Sequence, residues 1–565
     1  MSLKIVVVGG VAGGMSVAAR CRRLDESAEI VVFERGPDVS FSNCALPFYL
    51  SDVIDDADRL VLMTPAKFAK QYNIDARVRH EVIAIDRAAK KVTVRNLESG
   101  VEFTESYDKL ALSPGARPIM PPIPGIDLPH VYAVRNVQDI VRLKERVTTP
   151  GVHDVVVVGG GYIGLEVAEN LALAGLGVTL VERETHVMTR IDADLAQLVH
   201  RELHDHGVTV RVGQALAAVK EGTVELSTGE ELPAQAVVMA VGVRPETSLA
   251  SDAGLELGVT GGIKVDAAFR TSDPDIYAVG DAIEVHHRIL GKPVLLSMAG
   301  PAQRQARAAA DHMFGRISRR TGVVGSAVVR VFGLNVASTG LNERECKSEG
   351  LSYESVYVIG QDKVALMPGS MPIHLKMHFE VPTGRILGAQ AVGAGNVDKR
   401  IDIIATLLMQ GGTLEDLRDV ELCYSPWYGT AKDVVNNAAL VGLNILNSEY
   451  RQIMVADLRP LIESGEAYVI DVREPSEYAK GHIKGAVNIP MSQFRSRLDE
   501  IPRDRPVYVH CRIGQRSYNV ARALGQLGFG NVVNVAGSFL GLCCQEYFQD
   551  VSEHRDPLVT AYNFA

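Results

Sequence analysis

Residues 154–164, DVVVVGGGYIG, combine an apolar strand with a complete G-x-G-x-x-G turn. A helical stretch follows, and the next strand, 178–181, ends at the acidic Glu182. This order is typical of a dinucleotide-binding βαβ unit, because the glycines let the backbone approach a pyrophosphate at the helix N-terminus. Glu182 suits the free 2′-hydroxyl of NADH, while Arg183 beside it leaves NADPH use open. The predicted dinucleotide contacts are Gly159, Gly161, Tyr162, Ile163, Gly164, Glu182 and Gly242.

A less regular unit of the same kind opens the chain. An apolar run at 4–8 leads into the glycine-rich turn 9–14, GGVAGG, and a later strand at 29–33 ends at Glu34. Val11 stands where the second glycine of the motif is usual, so the pattern alone leaves a plain glycine-rich turn open beside a dinucleotide site. At the end of its strand, Glu34 is placed to accept hydrogen bonds from ribose hydroxyls.

The helix after this first turn has a basic face. Ser16, Arg20 and Arg23 fall at i, i+4 and i+7, on one side of the helix. Such a face can bind the phosphates of a second ligand while the start of the helix serves the first. The residues alone favour the simpler alternative, a solvated basic face.

One cysteine, Cys44, lies in the stretch 40–50, SFSNCALPFYL. No second cysteine follows within the next few residues, so a redox role for Cys44 needs an outside partner: a bound thiol, a persulfide sulfur or an oxygen. Only the thiolate is nucleophilic, and a helix N-terminus or a basic neighbour at Cys44 would favour it. The alternative is a buried structural cysteine.

A second candidate thiol lies near the C-terminus. The strand-like run 507–510 ends at CRIGQRS, residues 511–517. A loop of this kind wraps backbone N–H groups around the Cys511 sulfur and leads into a helix N-terminus, which stabilises a thiolate or a persulfide. Arg516 adds positive charge to the loop.

Length and composition limit the function. The 565 residues are enough for three or four domains, and the net charge of −10 argues against a nucleic-acid partner. Seven scattered cysteines fit a reducing compartment and catalytic thiols, and no metal site is predicted. Because residues 1–9 lack a signal-peptide core and no apolar run approaches ~20 residues, we expect a cytoplasmic protein without a membrane partner.

The two nucleotide units, with a strand that ends at Gly280-Asp281, resemble the two-dinucleotide-domain flavoprotein disulfide reductases over residues 1–445. The resemblance implies an α/β fold with FAD on the first Rossmann-like unit, NAD(P)H on the second, and hydride transfer to the flavin. The implied FAD contacts are Gly9, Val11, Ala12, Gly14, Glu34, Arg35, Asn43, Val82, Ser113, Gly115, Arg117, Gly280, Asp281, Pro301 and Ala302.

The same resemblance implies an α+β dimerisation domain and a homodimer. Strands are predicted at 325–333 and 351–360, an alternating segment at 374–380 and a helix at 398–409. Tyr424 matches a family tyrosine that lies near the thiol of the partner subunit.

The stretch around Cys44 resembles the active site of the coenzyme A-disulfide reductases, whose one cysteine forms a mixed disulfide with coenzyme A. The basic helix face then gains a purpose, and we favour its functional interpretation. Met367 replaces a second family tyrosine, and because it cannot donate a hydrogen bond to a leaving thiolate, a sulfur substrate other than coenzyme A disulfide is left open. The implied coenzyme A contacts are Ser16, Arg20, Arg23, Ser40, Asn43, Gln303, Arg307 and Lys432.

The C-terminal segment resembles a single-domain rhodanese, a sulfurtransferase that carries sulfane sulfur as a persulfide on the cysteine matched by Cys511. The predicted domains are 1–148 and 271–320 for FAD, 149–270 for NAD(P)H, 321–446 for dimerisation and 447–565 for the α/β rhodanese. We predict an NAD(P)H-dependent reductase of persulfide, polysulfide or coenzyme A disulfide through Cys44. The alternatives are an NADH oxidase or peroxidase with a Cys44 sulfenic acid, and a coenzyme A-binding redox sensor.

Overall fold

The computed structural model describes residues 2–317 and 322–564. The chain separates into two compact units, Met1–Val181 with Gln214–Val323 and Glu182–Gly213 with Val324–Ala565. Among the described residues, none of the helices has both the length and the apolar character that crossing a bilayer requires. The predicted domain boundary at 320/321 lies outside the described residues, and the other predicted boundaries stay predictions.

The first nucleotide-binding region begins with alternating strands and helices, as the sequence predicts. Two 3₁₀ helices, Asn43–Tyr49 and Ala57–Leu60, lie in its long loop. The other elements to residue 147 are β1 Lys4–Val8, α1 Ala12–Leu24, β2 Glu29–Phe33, α2 Pro65–Tyr72, β3 Asp75–Arg77, β4 His80–Asp86, β5 Lys91–Asn96, β6 Glu102–Ser106, β7 Lys109–Leu112, β8 Ala116–Pro118, β9 Val131–Ala133 and α3 Val137–Val147.

The second nucleotide-binding region follows, and the chain then returns to the first. The elements from residue 154 to 313 are β10 Asp154–Val158, α4 Tyr162–Leu173, β11 Gly177–Val181, α5 Ala193–Asp205, β12 Thr209–Arg211, β13 Leu216–Lys220, β14 Thr223–Leu226, β15 Glu231–Pro233, β16 Ala236–Met239, β17 Val243–Pro245, α6 Ser248–Asp252, β18 Ile276–Ala278, β19 Val285–His286, β20 Pro293–Val294 and α7 Ala299–Met313.

Sheet order explains where each glycine turn must lie. The strands of the first sheet lie in the order β3, β2, β1, β7, β18 and are all parallel. The chain therefore continues from β1 to β2 on one side, while β7 and β18 lie on the other side of β1. In the second sheet, β11, β10, β16 and β9 are neighbours in that order, and the corresponding reversal lies between β10 and β16. A crevice forms at the carboxyl ends of the strands at such a reversal, and the glycine turns follow β1 and β10 there.

The dimerisation region is an antiparallel sheet with helices, in the order β21, β22, β25, β24, β23. Its elements are β21 Ala327–Val331, β22 Leu334–Gly340, α8 Glu343–Ser348, β23 Tyr353–Gln361, β24 Pro372–Glu380, β25 Ile386–Gly393, α9 Val397–Gln410, α10 Leu414–Asp419 and α11 Val434–Leu446. The three predicted strands and the predicted helix are present, with small shifts at their ends.

The alternating segment 374–380 differs from a half-exposed strand, because β24 is buried on both faces. Its polar side chains have buried partners instead of water: the His374 ring lies 2.7 Å from the Tyr357 hydroxyl, and the Lys376 ammonium lies 2.9 Å from the Asp194 carboxylate. The polar residues that alternate along this strand therefore belong to a buried polar network inside the second unit.

The C-terminal region is a parallel sheet in the order β26, β30, β29, β27, β28. Its elements are β26 Gln452–Met454, α12 Leu458–Glu463, β27 Tyr468–Asp471, α13 Pro475–Tyr478, β28 Val487–Asn488, β29 Val507–His510, α14 Gln515–Gln526, β30 Val532–Ala536 and α15 Ser538–Ser552. Cys511 follows the central strand β29, at the carboxyl edge where parallel sheets bind ligands.

Candidate active site

The first glycine turn is packed so closely that only glycine fits. Gly9 has φ of +97°, and a Cβ there would lie 2.1 Å from the carbonyl oxygen of Ser113, which follows β7. A Cβ on Gly14 would lie 1.8 Å from the carbonyl oxygen of Gly9. The turn therefore holds α1 tightly against the carboxyl ends of β1 and β7.

The start of α1 fits an anionic ligand. Its N-cap residue is Val11, whose side chain makes no hydrogen bond to the first turn of the helix. Backbone N–H groups at such an end, together with the helix dipole, favour a phosphate. Val11, the departure from the usual motif, therefore leaves the helix start compatible with the pyrophosphate of FAD.

Glu34 has a structural task beside the predicted one. One carboxylate oxygen accepts the N–H of Gly10 and the other the N–H of Gly36, each at 2.7 Å. Because a carboxylate has about four acceptor sites, two remain for ribose hydroxyls. Glu34 thus fixes the glycine turn and can still bind the predicted ribose.

The return segment adds a carboxyl group to this crevice. The Gly280 N–H donates to the buried side chain of Gln305 at 2.8 Å, which fixes the backbone just before Asp281. Burial raises the pKa of Asp281 to about 6, so it is mostly ionised at neutral pH. Gln305 was missed by sequence reasoning, although it lies beside the predicted Gln303 on α7.

The remaining predicted FAD residues lie in the same unit. Arg35 has the carboxylates of Glu81 and Glu246 at 4.0 and 3.8 Å, and Val82 is buried in β4. The others lie at the start of α1, in the first 3₁₀ helix, in the β7–β8 segment or in the first turn of α7: Ala12, Asn43, Ser113, Gly115, Arg117, Pro301 and Ala302.

The second glycine turn shares the packing of the first and adds open space. A Cβ on Gly159 would lie 2.4 Å from the carbonyl oxygen of Ala240, and one on Gly164 would lie 1.8 Å from that of Gly159. A Cβ on Gly161 would meet no atom of the described residues within 4 Å. The backbone is therefore open to a pyrophosphate at Gly161, the N-cap of α4.

The other predicted nicotinamide-dinucleotide residues occupy corresponding positions. Tyr162 and Ile163 form the first turn of α4, and Gly242 has φ of +105° in the turn after β16. Glu182 directly follows β11, and its carboxylate accepts the N–H of Glu184 at 2.9 Å. That bond repeats the one between Glu34 and Gly36.

Cys44 is an exposed, unpaired thiol at the second position of the 3₁₀ helix Asn43–Tyr49. This helix packs against α3 and α4, and the Lys144 ammonium binds the carbonyl oxygen of Leu50 at its far end at 2.7 Å. The structure thus holds Cys44 at a helix start, as one of the two predicted conditions requires.

Acids, and not a basic group, influence the Cys44 thiol. Partial burial raises the pKa of the Cys44 thiol, and the carboxylates of Glu166 and Asp281 raise it further. Burial also raises the pKa of Glu166 to about 7, with Glu169 adding to the shift. Without a ligand, the protein therefore holds Cys44 mainly as the neutral thiol at neutral pH.

The predicted coenzyme A face has an internal counterion. Helices α1 and α7 pack together, and the Arg20 guanidinium binds the Asp311 carboxylate of α7 at 2.5 and 2.7 Å. Arg307 lies 3.9 Å from the same carboxylate, while Arg23 stays exposed. Asp311 was missed by sequence reasoning, and it neutralises part of the positive charge that was expected for a phosphate.

Three further predicted residues have distinct settings. Ser40 has φ of +52°, an uncommon conformation outside glycine, and its N–H donates to the carbonyl oxygen of Gly10 at 2.8 Å. Ser16 is half-buried on α1, and Gln303 is exposed on α7. These three lie in the first unit with Cys44.

Tyr424 and Met367 belong to two loops of the second unit that meet through a hydrogen bond from Val364 N–H to the carbonyl oxygen of Pro426, at 3.2 Å. Tyr424 is 52% exposed, and Lys432 is exposed on the same loop segment. The neighbouring exposed apolar side chains are Leu366, Met371, Trp427 and Tyr428.

The sulfur of Cys511 is enclosed, with 1% of the residue exposed. Gly514 N–H donates to it at 3.1 Å, and the N–H of Cys511 itself donates to the Ser538 hydroxyl at 3.3 Å. Gly514 has φ of +106°, which turns the loop back around the sulfur before α14 begins. One N–H group of the predicted cradle, that of Gly514, is therefore directed at the sulfur.

Arg516 lies between this sulfur and a carboxylate. Its guanidinium binds both oxygens of Glu477 at 2.6 and 2.7 Å, and these bonds, followed by the charge of Cys511, raise the pKa of Arg516. Glu477 lies on α13, far from the loop in sequence, and sequence reasoning gave it no role. Cys543 and Cys544 are buried core thiols of α15.

Three family models match the chain in succession. Pyridine nucleotide-disulphide oxidoreductase matches residues 3–308, the dimerisation domain of that family matches 326–433, and a rhodanese-like domain matches 454–543. These matches confirm the predicted fold class and the predicted order of domain types. They also confirm FAD and NAD(H) as the cofactors.

One curated relative matches about three quarters of this chain, and two solved structures match nearly all of it. Coenzyme A disulfide reductase from Staphylococcus epidermidis is 35% identical over 434 residues, 77% of this chain and 98% of the relative. Among solved structures, reduced Bacillus anthracis CoADR-RHD is 42% identical, with a TM-score of 0.93 over 97% of this chain and 99% of that chain. An NAD-dependent persulfide reductase from A. fulgidus is 34% identical, with a TM-score of 0.91 over 95% and 99%. The chain therefore belongs to the pyridine nucleotide-disulphide oxidoreductases, as a flavin-dependent member that carries a rhodanese-like domain.

Proposed function

We propose that this protein uses NADH to reduce sulfane sulfur carried by a thiol, and that coenzyme A is the thiol it recognises. The exposed, unpaired Cys44, in the unit that carries both glycine turns, is the observation that carries the proposal. A coenzyme A disulfide reductase and a persulfide reductase among the relatives support it. The overall reaction is R–S–SH + NADH → R–SH + HS⁻ + NAD⁺.

Cys44 performs the sulfur chemistry in this proposal. Its thiolate attacks the thiol-bound sulfur of R–S–SH, hydrosulfide leaves, and a mixed disulfide Cys44–S–S–R forms. The turns of Gly9 and Gly159 would hold FAD and NADH, and these cofactors would supply the two electrons needed to reduce this disulfide to the Cys44 thiolate and R–S⁻. Arg23 and Arg307 bind the phosphates of coenzyme A from the exposed side of α1 and α7.

The missing tyrosine favours a persulfide over a disulfide. Met367 is half-buried and offers no donor to a leaving group. Hydrosulfide leaves more readily than a coenzyme A thiolate because its conjugate acid is the stronger one, so it needs a donor less. Coenzyme A disulfide is therefore the slower substrate.

We further propose a cytoplasmic homodimer. Tyr424, Trp427 and Tyr428 are 52%, 57% and 66% exposed, and Leu366 is 87% exposed on the adjoining loop. An apolar surface of this kind is typical of a subunit interface. Tyr424 of one subunit then lies beside the Cys44 thiol of its partner, as in the family.

The test uses the full-length, flavin-loaded protein and follows NADH oxidation under anaerobic conditions. Coenzyme A persulfide should turn over faster than coenzyme A disulfide, and Cys44→Ser should lower both rates by about 1,000-fold. Cys346→Ala removes a buried thiol of the second unit and should keep the wild-type rate. Unchanged persulfide reduction in Cys44→Ser would reject the proposal.

One second function is tested with the same protein in a separate, aerated cuvette. An NADH oxidase would cycle Cys44 through a sulfenic acid and consume oxygen in aerated buffer without any sulfur substrate. The exposed position of Cys44 is what keeps this candidate open. Oxygen consumption faster than persulfide reduction would favour it.

A further inference from the structure

The loop around Cys511 contains two guanidinium groups, those of Arg512 and Arg516, and a third, the buried Arg473, follows the neighbouring strand β27. Such groups would bind the sulfonate of a dianionic donor such as thiosulfate. In this structure each has a partner already. The Arg473 guanidinium binds the Asp471 carboxylate and the carbonyl oxygen of Gly481, each at 2.7 Å. Arg512, directly after Cys511, binds the carbonyl oxygen of Asn563 at 2.8 Å.

The other guanidinium of the loop, Arg516, is the one that faces the sulfur, and Glu477 occupies it. Both carboxylate oxygens are used, in the parallel two-bond geometry that is the strongest arrangement for this pair. The pair is half-buried, with side-chain exposures of 33% and 35%. Glu477 therefore places a negative charge at the rim of the loop and cancels the positive charge that a dianion would seek.

The C-terminal segment, residues 559–563, keeps the Arg512 guanidinium occupied. The Ile483 backbone forms a β-bridge with Val559, and the N–H of Thr560 donates to the carbonyl oxygen of His482 at 2.9 Å. These contacts anchor the segment that carries Asn563 over the loop. Arg512 thus binds the C-terminal segment and not a ligand at the Cys511 sulfur.

We infer that Cys511 accepts sulfur from a thiol-borne persulfide and discriminates against a sulfonate-bearing donor, with Glu477 as the residue that sets this preference. The inference rests on the proposed function, because it makes the donor of Cys511 the same class of molecule that Cys44 reduces. A persulfide brings no sulfonate and at most one negative charge to the loop, against two for thiosulfate, and the Gly514 N–H lies where it can bind the sulfur that is transferred.

The transfer step balances without another reactant. The Cys511 thiolate attacks the terminal sulfur of R–S–SH, the S–S bond to R breaks, and R–S⁻ leaves: Cys511–S⁻ + R–S–SH → Cys511–S–SH + R–S⁻. With thiosulfate the same attack would release sulfite, and its charge would develop beside the Glu477 carboxylate.

The experiment measures the loading of Cys511 in full-length, flavin-loaded protein carrying Cys44→Ser, so that reduction at Cys44 does not consume the product. Coenzyme A persulfide or thiosulfate is mixed with the protein, the reaction is quenched with an alkylating agent, and peptide mass spectrometry follows the gain of one sulfur atom on Cys511. Loading by the persulfide should be at least about tenfold faster.

Glu477→Gln tests the assigned residue. It frees Arg516 and should raise the rate with thiosulfate by about tenfold at low salt, with little gain for the persulfide. Glu500→Gln is the matched control, because it removes a carboxylate from the Arg497–Glu500 pair, which has equally short bonds of 2.6 Å, and should change neither rate. Added salt should reduce the gain in Glu477→Gln.

Three outcomes would overturn the inference: wild-type loading by thiosulfate as fast as by the persulfide, equal loss of both rates in Glu477→Gln, or the same gain in Glu500→Gln. NADH turnover of the protein with Cys44 intact is measured separately. Failure of that turnover contradicts the proposed function, while the ratio of the two loading rates still decides the preference of Cys511.

Discussion

Cys44 and Cys511 both follow the pattern of a thiol at a helix start, yet their surroundings are opposite. The Cys44 residue is exposed, yet partial burial of its thiol raises the thiol pKa, and the carboxylates of Glu166 and Asp281 raise it further. Cys511 is enclosed, with the Gly514 N–H at 3.1 Å from its sulfur and the Arg516 guanidinium beside it. The first setting suits a thiol that a large ligand must reach and that reacts only once a ligand and cofactor surround it. The second suits a sulfur atom that is stored.

The largest expected effect separates the two thiols by reaction. Cys44→Ser should lower NADH-linked persulfide reduction by about 1,000-fold and leave the sulfur loading of Cys511 unchanged. Cys511→Ser should abolish loading and change the reduction of free coenzyme A persulfide by less than about twofold. The rate of NADH oxidation measures persulfide reduction, and peptide masses measure the sulfur loading of Cys511. If Cys511→Ser also stopped NADH oxidation, the thiols would form one relay and the comparison would fail.

The second effect concerns access. Iodoacetamide should alkylate Cys44 at least about tenfold faster than Cys511 in the ligand-free protein, because the Cys44 residue is exposed with its thiol only partly buried, whereas Cys511 is enclosed. Since the pKa of Cys44 is raised, its rate should keep increasing with pH through the alkaline range without a plateau near neutrality. Peptide mass spectrometry separates it from the exposed Cys423. Faster labelling of Cys511 would contradict the exposure seen here.

The sequence predicted most of the fold because strand, glycine turn and helix follow one another locally. The packing limits at Gly9 and Gly159 are consequences of the same motif. The ion pairs that the sequence could not predict join residues that are distant in the chain. Glu477 reaches Arg516 from α13, and Asp311 reaches Arg20 from α7.

Charge neighbours also escaped prediction for a physical reason. Whether an acid or a base lies near Cys44 depends on how the 3₁₀ helix packs against α4, which carries Glu166. No pattern around Cys44 contains that information. The presence of Met367 in place of the family tyrosine was visible in the sequence, because a thioether there replaces a hydrogen-bond donor.

A third effect should appear in stability. Ser538 links the loop to the sheet, since its hydroxyl accepts the Cys511 N–H and donates to the carbonyl oxygen of Val535 at 3.2 Å. Ser538→Ala would leave that buried N–H without its partner and should cost about 1–2 kcal/mol in the free energy of unfolding of the rhodanese-like domain. Denaturant unfolding measures the change.

The control for Ser538→Ala is Ser492→Ala, an exposed serine of the same domain whose hydroxyl binds Glu474 at 3.2 Å. It should change the unfolding free energy by less than about 0.5 kcal/mol. Equal losses in the two variants would show that the Cys511 N–H gains nothing from Ser538. Neither change should alter alkylation of Cys44.

The smallest effect tests the acids around Cys44. Glu166→Gln removes a negative charge that raises the pKa of the Cys44 thiol, so that pKa should fall. Because Glu166 has a pKa of about 7, its charge is present above that pH and largely absent below it. The variant should therefore alkylate about threefold faster than wild type at pH 8, and the two rates should converge below pH 6. Glu26→Gln, an exposed acid of the same unit, should follow the wild-type profile at both pH values. A gain that persisted at low pH would mean that the substitution opens the site, and the carboxylate would no longer explain why Cys44 stays protonated until a ligand arrives.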